Sequence, residues 1–196
     1  MPITEVSDPL TLFRNWLHEA EKKEVNEPTA ACLATSSRNA IPSARMVLLK
    51  GADDGGFVFY TNMDSRKGDE IRQNPHAALC FHWKSLSRQV RVEGTVNSVS
   101  ETDADAYFAT RPRAAQIGAW ASLQSKPLHS RSQLENRVAE YSAKFALGPV
   151  PRPGHWSGYC LNPTNIEFWE NRNSRLHDRL KYERSKGRWR HEWLFP

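Results

Sequence analysis

The chain has 196 residues, with 27 Lys and Arg against 22 Asp and Glu and a formal charge of +5 with histidine neutral. Its length suits one folded unit, and a composition 25% charged and 10% aromatic excludes a disordered or collagen-like polypeptide. The longest apolar runs, residues 46–49 and 77–81, fall far short of the roughly 20 residues that cross a bilayer, and the start of the chain, with Glu5 and Asp8, lacks the layout of a secretory signal.

In chain order, Asp8 can cap a helix opened by Pro9. Leu10, Phe13, Leu17 and Ala20 recur at helical spacing, which predicts an N-terminal helix over about 8–24. A strand over 29–35, a turn over 36–39 and a second strand over 40–50 follow, then a loop over 51–56 and an apolar third strand at 57–60. Asp64 or Ser65 can cap a short helix through Arg72, ended by Asn74-Pro75. Residues 77–83 and 89–99 read as two more strands, and Ser100 with Asp103 marks a helix carrying Ala104, Tyr107 and Phe108. Another helix begins near Ser132, sets Leu134, Val138, Tyr141 and Phe145 on one face, and closes at Gly148-Pro149. Residues 159–161, 166–169, 180–183 and 188–194 read as late strands, the last two joined by a turn at 185–187. Cys32, Cys80 and Cys160 fall in these runs without paired spacing. They read as plain buried thiols in a reducing, cytoplasmic setting. Many short strands joined by a few helices predict a mainly β, α+β barrel decorated by helices.

Basic residues recur at strand ends: Arg45 and Lys50, Arg66 and Lys67, Arg88 and Arg91, Arg111 and Arg113. Hydroxyls and amides such as Tyr60, Thr61, Ser65, Gln89, Gln124 and Ser125 lie near them in sequence. Guanidinium forks with oriented hydroxyls and amides suit a phosphate, whereas any one basic residue taken alone reads as solubilising surface. Residues 175–179 are the densest candidate. On a strand, Arg175, His177 and Arg179 would share one face, where they need an anionic ligand or an answering carboxylate such as Asp178 or Glu183. Trp169 fits either a core position or a wall for a flat ring. Glycine-rich phosphate loops, a nucleophile elbow and metal-ligand histidine spacing are absent. Reactivity is therefore expected from a borrowed organic cofactor, without a metal.

Several segments occur in a telling order: Arg45-Met-Val-Leu-Leu-Lys50, Phe59-Tyr-Thr-Asn62 with Ser65-Arg-Lys67, Arg88-Gln-Val-Arg-Val-Glu-Gly94, and Tyr107-Phe-x-x-Arg-Pro112. Gln116-Ile-Gly-Ala-Trp-Ala-Ser122 with Gln124-Ser125, Ile166-Glu-Phe-Trp169 and Arg175-Leu-His-Asp-Arg179 follow. Together they resemble the pyridoxine/pyridoxamine 5′-phosphate oxidase family over nearly the whole chain. The resemblance implies a single split β-barrel unit over 1–196 that binds FMN at the interface of a homodimer, with a dimerisation and active-site region over about 150–196. It implies that Arg45, Lys50, Ser65, Arg66 and Lys67 hold the FMN phosphate and ribityl end. Met46, Val47, Leu48, Tyr60, Thr61, Gln89, Gln124, Ser125, Trp169 and Arg179 would bind the rest of the flavin. Lys50, Tyr107 and Arg111 would grip the substrate phosphate beside Ala115, and the catalytic pair Arg175 and His177 would face the pyridine ring.

The implied reaction oxidises pyridoxamine and pyridoxine 5′-phosphates with O2 to pyridoxal 5′-phosphate and hydrogen peroxide, by hydride transfer from substrate C4′ to flavin N5. Two positions depart from the family pattern. Ala115 stands where many members carry a phosphate-binding serine, and Glu170-Asn-Arg-Asn-Ser174 replaces a glycine-bearing approach to Arg-Leu-His. Other readings are a related flavin oxidase of a phenazine precursor, a non-catalytic pyridoxal phosphate carrier, and a nucleic-acid-binding barrel suggested by the basic balance. Nucleic acid and membrane are not expected partners under the leading reading.

Overall fold

The computed structural model describes residues 3–196. Asp8 caps α1 (Pro9–Lys23) as expected, its carboxylate accepting from the Leu10 and Thr11 amides at 3.1 and 3.0 Å. Strands β1 (Ala30–Ser36), β2 (Pro42–Leu48), β3 (Gly51–Asp53) and β4 (Gly56–Asn62) follow, then α2 (Arg66–Gln73), β5 (His76–Trp83) and β6 (Arg88–Ser98). Helices α3 (Glu101–Thr110), α4 (Arg113–Ala121) and α5 (Arg131–Lys144) precede β7 (Trp156–Glu170), β8 (Asp178–Ser185) and β9 (Arg188–Trp193).

All pairings are antiparallel, in the order β2-β1-β5-β6-β7-β4-β3, with β8 on β7 and β9 on β8. The two ends of that order, β2 and β3, are consecutive in the chain. Leu49 and Lys50 join them, their amides donating to Thr29 and Val58 carbonyls at 2.9 and 2.7 Å, so the sheet curls until its edges meet. This is the expected barrel. Alternation places Ala31 and Leu33, Leu79, Phe81 and Trp83, and Val90, Val92 and Val96 inside. Phe13 of α1 enters from one end, its ring 4.8 Å from Phe57 and 5.0 Å from Phe81. Tyr182, fully buried, ties the N-terminal segment down through its hydroxyl, which donates to the Val6 carbonyl at 3.0 Å.

Several expectations are corrected. The loop over 51–56 contains β3, folded onto β4 by a tight turn in which Asp53 accepts from the Gly55 amide at 2.8 Å. Residues 159–161 and 166–169 are one strand, β7, whose Pro163-Thr164 step makes a bulge opposite Gly94. Gly94 is required there, because a Cβ would stand 2.0 Å from the Asn162 carbonyl oxygen. Helix α4 was not anticipated, and α5 begins at Arg131 behind Ser130, whose hydroxyl accepts from the Gln133 amide at 3.2 Å. No residue of α5 is fully buried: Val138 is exposed, Leu134 half-buried, and Tyr141 and Phe145 pack on Trp120. The three cysteines lie on strands but are half-buried on the outer face, not in the core. The turn at 185–187 is present, with Lys186 and Gly187 both at positive φ, the geometry of a two-residue hairpin loop.

Candidate active site

The first cluster forms where β1, β2 and α2 meet. Glu70, buried on α2, accepts from Thr35 and Ser43 hydroxyls at 2.5 Å, from Arg45 Nη2 at 3.1 Å and from Arg66 Nε at 2.8 Å. Burial alone would raise this carboxyl. The four donors outweigh it and hold the group down at about 2. Arg45 also donates to the hydroxyls of Thr35 and Ser43, so its guanidinium is locked within this network. Ser65 is fully buried at the N-cap of α2, but its hydroxyl turns back to the Asn62 carbonyl at 2.6 Å and does not cap the helix amides. Lys67 Nζ reaches Ser65 Oγ at 3.2 Å. Burial, reinforced by nearby Arg45, pushes the Lys67 ammonium below the ordinary lysine range.

Next to this network lies a cleft of about 300 Å³ lined by Met46, Val47, Leu48, Lys50, Lys67 and Gln124, with Tyr60, Thr61, Tyr107, Arg111 and Trp156. It continues into a recess of about 390 Å³ that adds Asn62, Ala115, Gly118, Ala119 and Ser122. Tyr60, Tyr107 and Trp156 form a cluster of near-parallel rings: Tyr107 lies 4.0 Å and Trp156 5.3 Å from Tyr60, with interplanar angles of 12° and 7°. Arg111, at the C-cap of α3, lies 4.7 Å over Trp156, and its Nη1 is buried without a hydrogen-bond partner among the described residues. Burial lowers the Arg111 pKa from its ordinary value. A desolvated cation held over aromatic rings, beside Lys50 and Lys67, demands an anionic partner. The cleft therefore suits a flat ring bearing a phosphate.

Most of the expected binding residues meet here: Met46, Val47, Leu48, Lys50, Tyr60, Thr61, Lys67, Tyr107, Arg111, Ala115 and Gln124 all line the cleft or its recess. Ser65 and Arg66 flank it at the head of α2. Ser125, left-handed at φ 70°, falls outside, against a separate recess near Leu128 and Leu134. Trp156 and Glu70 were missed. Glu70 had a signal, an acidic residue four positions after Arg66 on one helix, whereas Trp156 precedes the apolar run by which β7 was recognised.

Gln89, Trp169, Arg175, His177 and Arg179 do not join this cleft. Gln89, Trp169 and Arg179 form one row across β6, β7 and β8, and the His177 ring lies 4.6 Å from Trp169. The shared strand face expected for Arg175, His177 and Arg179 is corrected, because β8 starts only at Asp178. Arg175 ends a single 3-10 turn, where Ser174 and Arg175 both hold left-handed φ values of 57° and 62°, at roughly 1–2 kcal/mol each for side chains that are not glycine. Arg179 donates to buried Glu167 at 2.8 Å, and Arg91 meets the same carboxylate. Arg88 pairs with Glu170 at 2.9 Å and Arg113 with the Phe145 and Gly148 carbonyls, so Arg88 and Arg113 serve the framework.

In architecture and cleft alike the chain is a split-barrel protein. Two family models match it: pyridoxamine 5′-phosphate oxidase over residues 17–145, and the pyridoxine 5′-phosphate oxidase C-terminal dimerisation region over 156–196. A pyridoxine/pyridoxamine 5′-phosphate oxidase of Rhodospirillum rubrum is 57% identical, with 100% of both chains covered. The chain belongs to the pyridoxamine 5′-phosphate oxidase family. Among solved structures, PhzG of Burkholderia lata, in complex with tetrahydrophenazine-1-carboxylic acid, superimposes with a TM-score of 0.92 at 34% identity, covering 97% of this chain and 94% of its own. An FMN binding protein of Nostoc punctiforme shares the fold, with a TM-score of 0.77 at 19% identity over 98% of this chain and 100% of its own.

Proposed function

We propose that the chain is an FMN-dependent oxidase that converts pyridoxamine and pyridoxine 5′-phosphates to pyridoxal 5′-phosphate, working as a homodimer. The observation that carries this reading is the buried, partnerless Nη1 of Arg111 at the edge of the Tyr107–Tyr60–Trp156 stack. An aromatic phosphate ester supplies both the missing anion and a ring for the apolar wall. Lys50 and Tyr107 share that phosphate. Ala115 offers it no hydroxyl, which weakens substrate binding by one neutral hydrogen bond, on the order of 0.5–1.5 kcal/mol.

The donor set at the head of α2 fits the FMN phosphate: Ser65, Arg66 and Lys67 stand at a helix N-terminus, where amides and dipole favour an anion. Glu70 holds Arg66 and Arg45 in place around it. Met46, Val47, Leu48, Thr61 and Gln124 line the path of the flavin ring. Bound there, FMN would supply the hydride acceptor for substrate C4′ and the route by which O2 is reduced to hydrogen peroxide. The protein's own contribution is to hold two rings in contact.

Trp156 opens β7 and Trp169 lies next to its end. At about 3.3 Å per residue the two stand roughly 40 Å apart along the strand, well beyond the length of one FMN. A second copy therefore supplies Gln89, Trp169, Arg175, His177 and Arg179 to the cleft of the first. The dimerisation region at 156–196, which spans this strand, supports that pairing.

The test is direct. The purified protein should show flavin absorption and release peroxide from pyridoxamine 5′-phosphate in air. Protein that refuses added FMN, or a flavin-loaded dimer that yields no peroxide, would overturn the reading. The likeness to PhzG supports a second substrate class, a reduced phenazine carboxylate, and faster turnover of that compound than of the phosphate ester would favour it.

A further inference from the structure

We propose that Arg172 is a positioning residue that fixes His177 as the tautomer with its hydrogen on Nε2, so that neutral His177 acts toward the substrate as a hydrogen-bond donor and not as a proton acceptor. This rests on the oxidase reading of the preceding section. The backbone amide of Arg172 donates to His177 Nδ1 at 3.2 Å. A backbone amide can only donate, so Nδ1 presents its lone pair and the ring's hydrogen stands on Nε2. The Trp169 ring lies against it, tilted by 42° with the centroids 4.6 Å apart. Nδ1 is thus engaged by protein, and Nε2–H is the polar edge left for a ligand.

The Arg172 side chain keeps the amide in place. Glu170 and Asp178 are direct cross-strand partners at the mouth of the β7–β8 connection, and two carboxylates so placed repel. The guanidinium bridges them, with Nη2 2.6 Å from Glu170 and 2.7 Å from Asp178 and Nε 2.8 Å from Asp178. That clamp closes the residues between the strands into a small loop whose first part carries the amide and whose last residue is His177. Arg88 meets Glu170 as well but makes no bond to Asp178, so it does not close the loop. Residues 170–174 read Glu-Asn-Arg-Asn-Ser, with no glycine to take a left-handed turn. The clamp supplies the order that such a sequence needs around the left-handed Ser174 and Arg175.

The experiment uses the flavin-loaded protein with 15N-labelled histidine, read by long-range proton–nitrogen correlation at about pH 8. His177 is assigned by difference from His177→Asn. The unaltered protein should show His177 wholly in the Nε2–H form. Arg172→Ala should average the two tautomers and lower kcat for pyridoxamine 5′-phosphate by roughly tenfold, the scale of one positioned hydrogen bond. Arg172→Lys should restore part of both. Arg172→Ala combined with Asp178→Asn leaves Glu170 without a facing carboxylate, so the strands stay paired if the single variant does not fold. An Nδ1–H tautomer in the unaltered protein, an unchanged spectrum in both Ala variants, or a shifted tautomer with undiminished kcat would each overturn the proposal. The spectrum needs no turnover. Failure of the oxidase reading shows separately, as absence of peroxide from the unaltered protein.

Discussion

The carboxylate of Glu70 meets the guanidinium of Arg45 at 3.1 Å while its other oxygen takes Arg66 at 2.8 Å, so one buried anion organises two of the cations at the head of α2. Its carboxyl is held at about 2 against an ordinary 4.5. A depressed carboxyl adds stability that is complete above the unfolded value and lost as pH falls through the folded one. Glu70→Gln should therefore cost on the order of 2–3 kcal/mol at neutral pH, and the gap between the two proteins should shrink as pH falls from 4.5 towards 2. Urea unfolding at about pH 7 and pH 3 checks this. A gap that does not change with pH would refute the assignment.

Arg111→Met should separate binding from folding. The guanidinium is buried with an unpartnered Nη1, so its removal should leave the urea midpoint within about 1 kcal/mol of the original. The KM for pyridoxamine 5′-phosphate should rise by roughly a hundredfold, since a charge-assisted contact is worth about 1.5–3 kcal/mol. FMN content should not change. Unfolding measured beside steady-state peroxide release reads both effects.

Lys67→Met should weaken FMN binding by at least about tenfold, measured by flavin fluorescence quenching on the apoprotein. The Lys67 ammonium sits below the ordinary lysine value of 10.5 through burial and Arg45. In the unaltered apoprotein, FMN affinity should accordingly start to fall at a lower alkaline pH than for an ordinary lysine. In Lys67→Met that alkaline limb should vanish.

Phe13→Ala should cost about 3–5 kcal/mol, because a fully buried ring against Phe57, Phe81 and Trp83 leaves a cavity that the barrel wall cannot collapse to fill. Gly94→Ala should be as harmful for a different reason: the new methyl meets a backbone carbonyl, which cannot swing aside. Thermal melts of both variants test the two mechanisms.

Much of this fold is written locally. The Asp8 and Ser100 caps and the apolar alternation of β5 and β6 mark their elements without reference to the rest of the chain. Where a remote partner decides, local reading fails. Asn162-Pro163-Thr164 looks like a break, yet Pro163, lacking an amide hydrogen, sits at the bulge opposite Gly94, where the ladder does not need one. Helix α4 follows Pro112 with few polar residues to set a period, and its buried Gln116 and Ile117 pack beside Phe108, far from it in the local pattern. For the site, residue types announced a phosphate. Only the folded chain shows that Arg45, Arg88, Arg91 and Arg113 answer carboxylates and carbonyls while Arg111 does not.

The single strand β7 carries Trp156 at one end and Trp169 near the other, and under the proposed pairing these ends serve opposite clefts. Two crippled enzymes should then rescue each other. Chains bearing Arg111→Met and chains bearing His177→Asn, unfolded together and reassembled at equal ratio, form mixed pairs in which both lesions fall on one cleft and the other is whole. Assayed at substrate far below the raised KM of Arg111→Met, random reassortment should restore about one cleft in four, although neither parent turns over appreciably there.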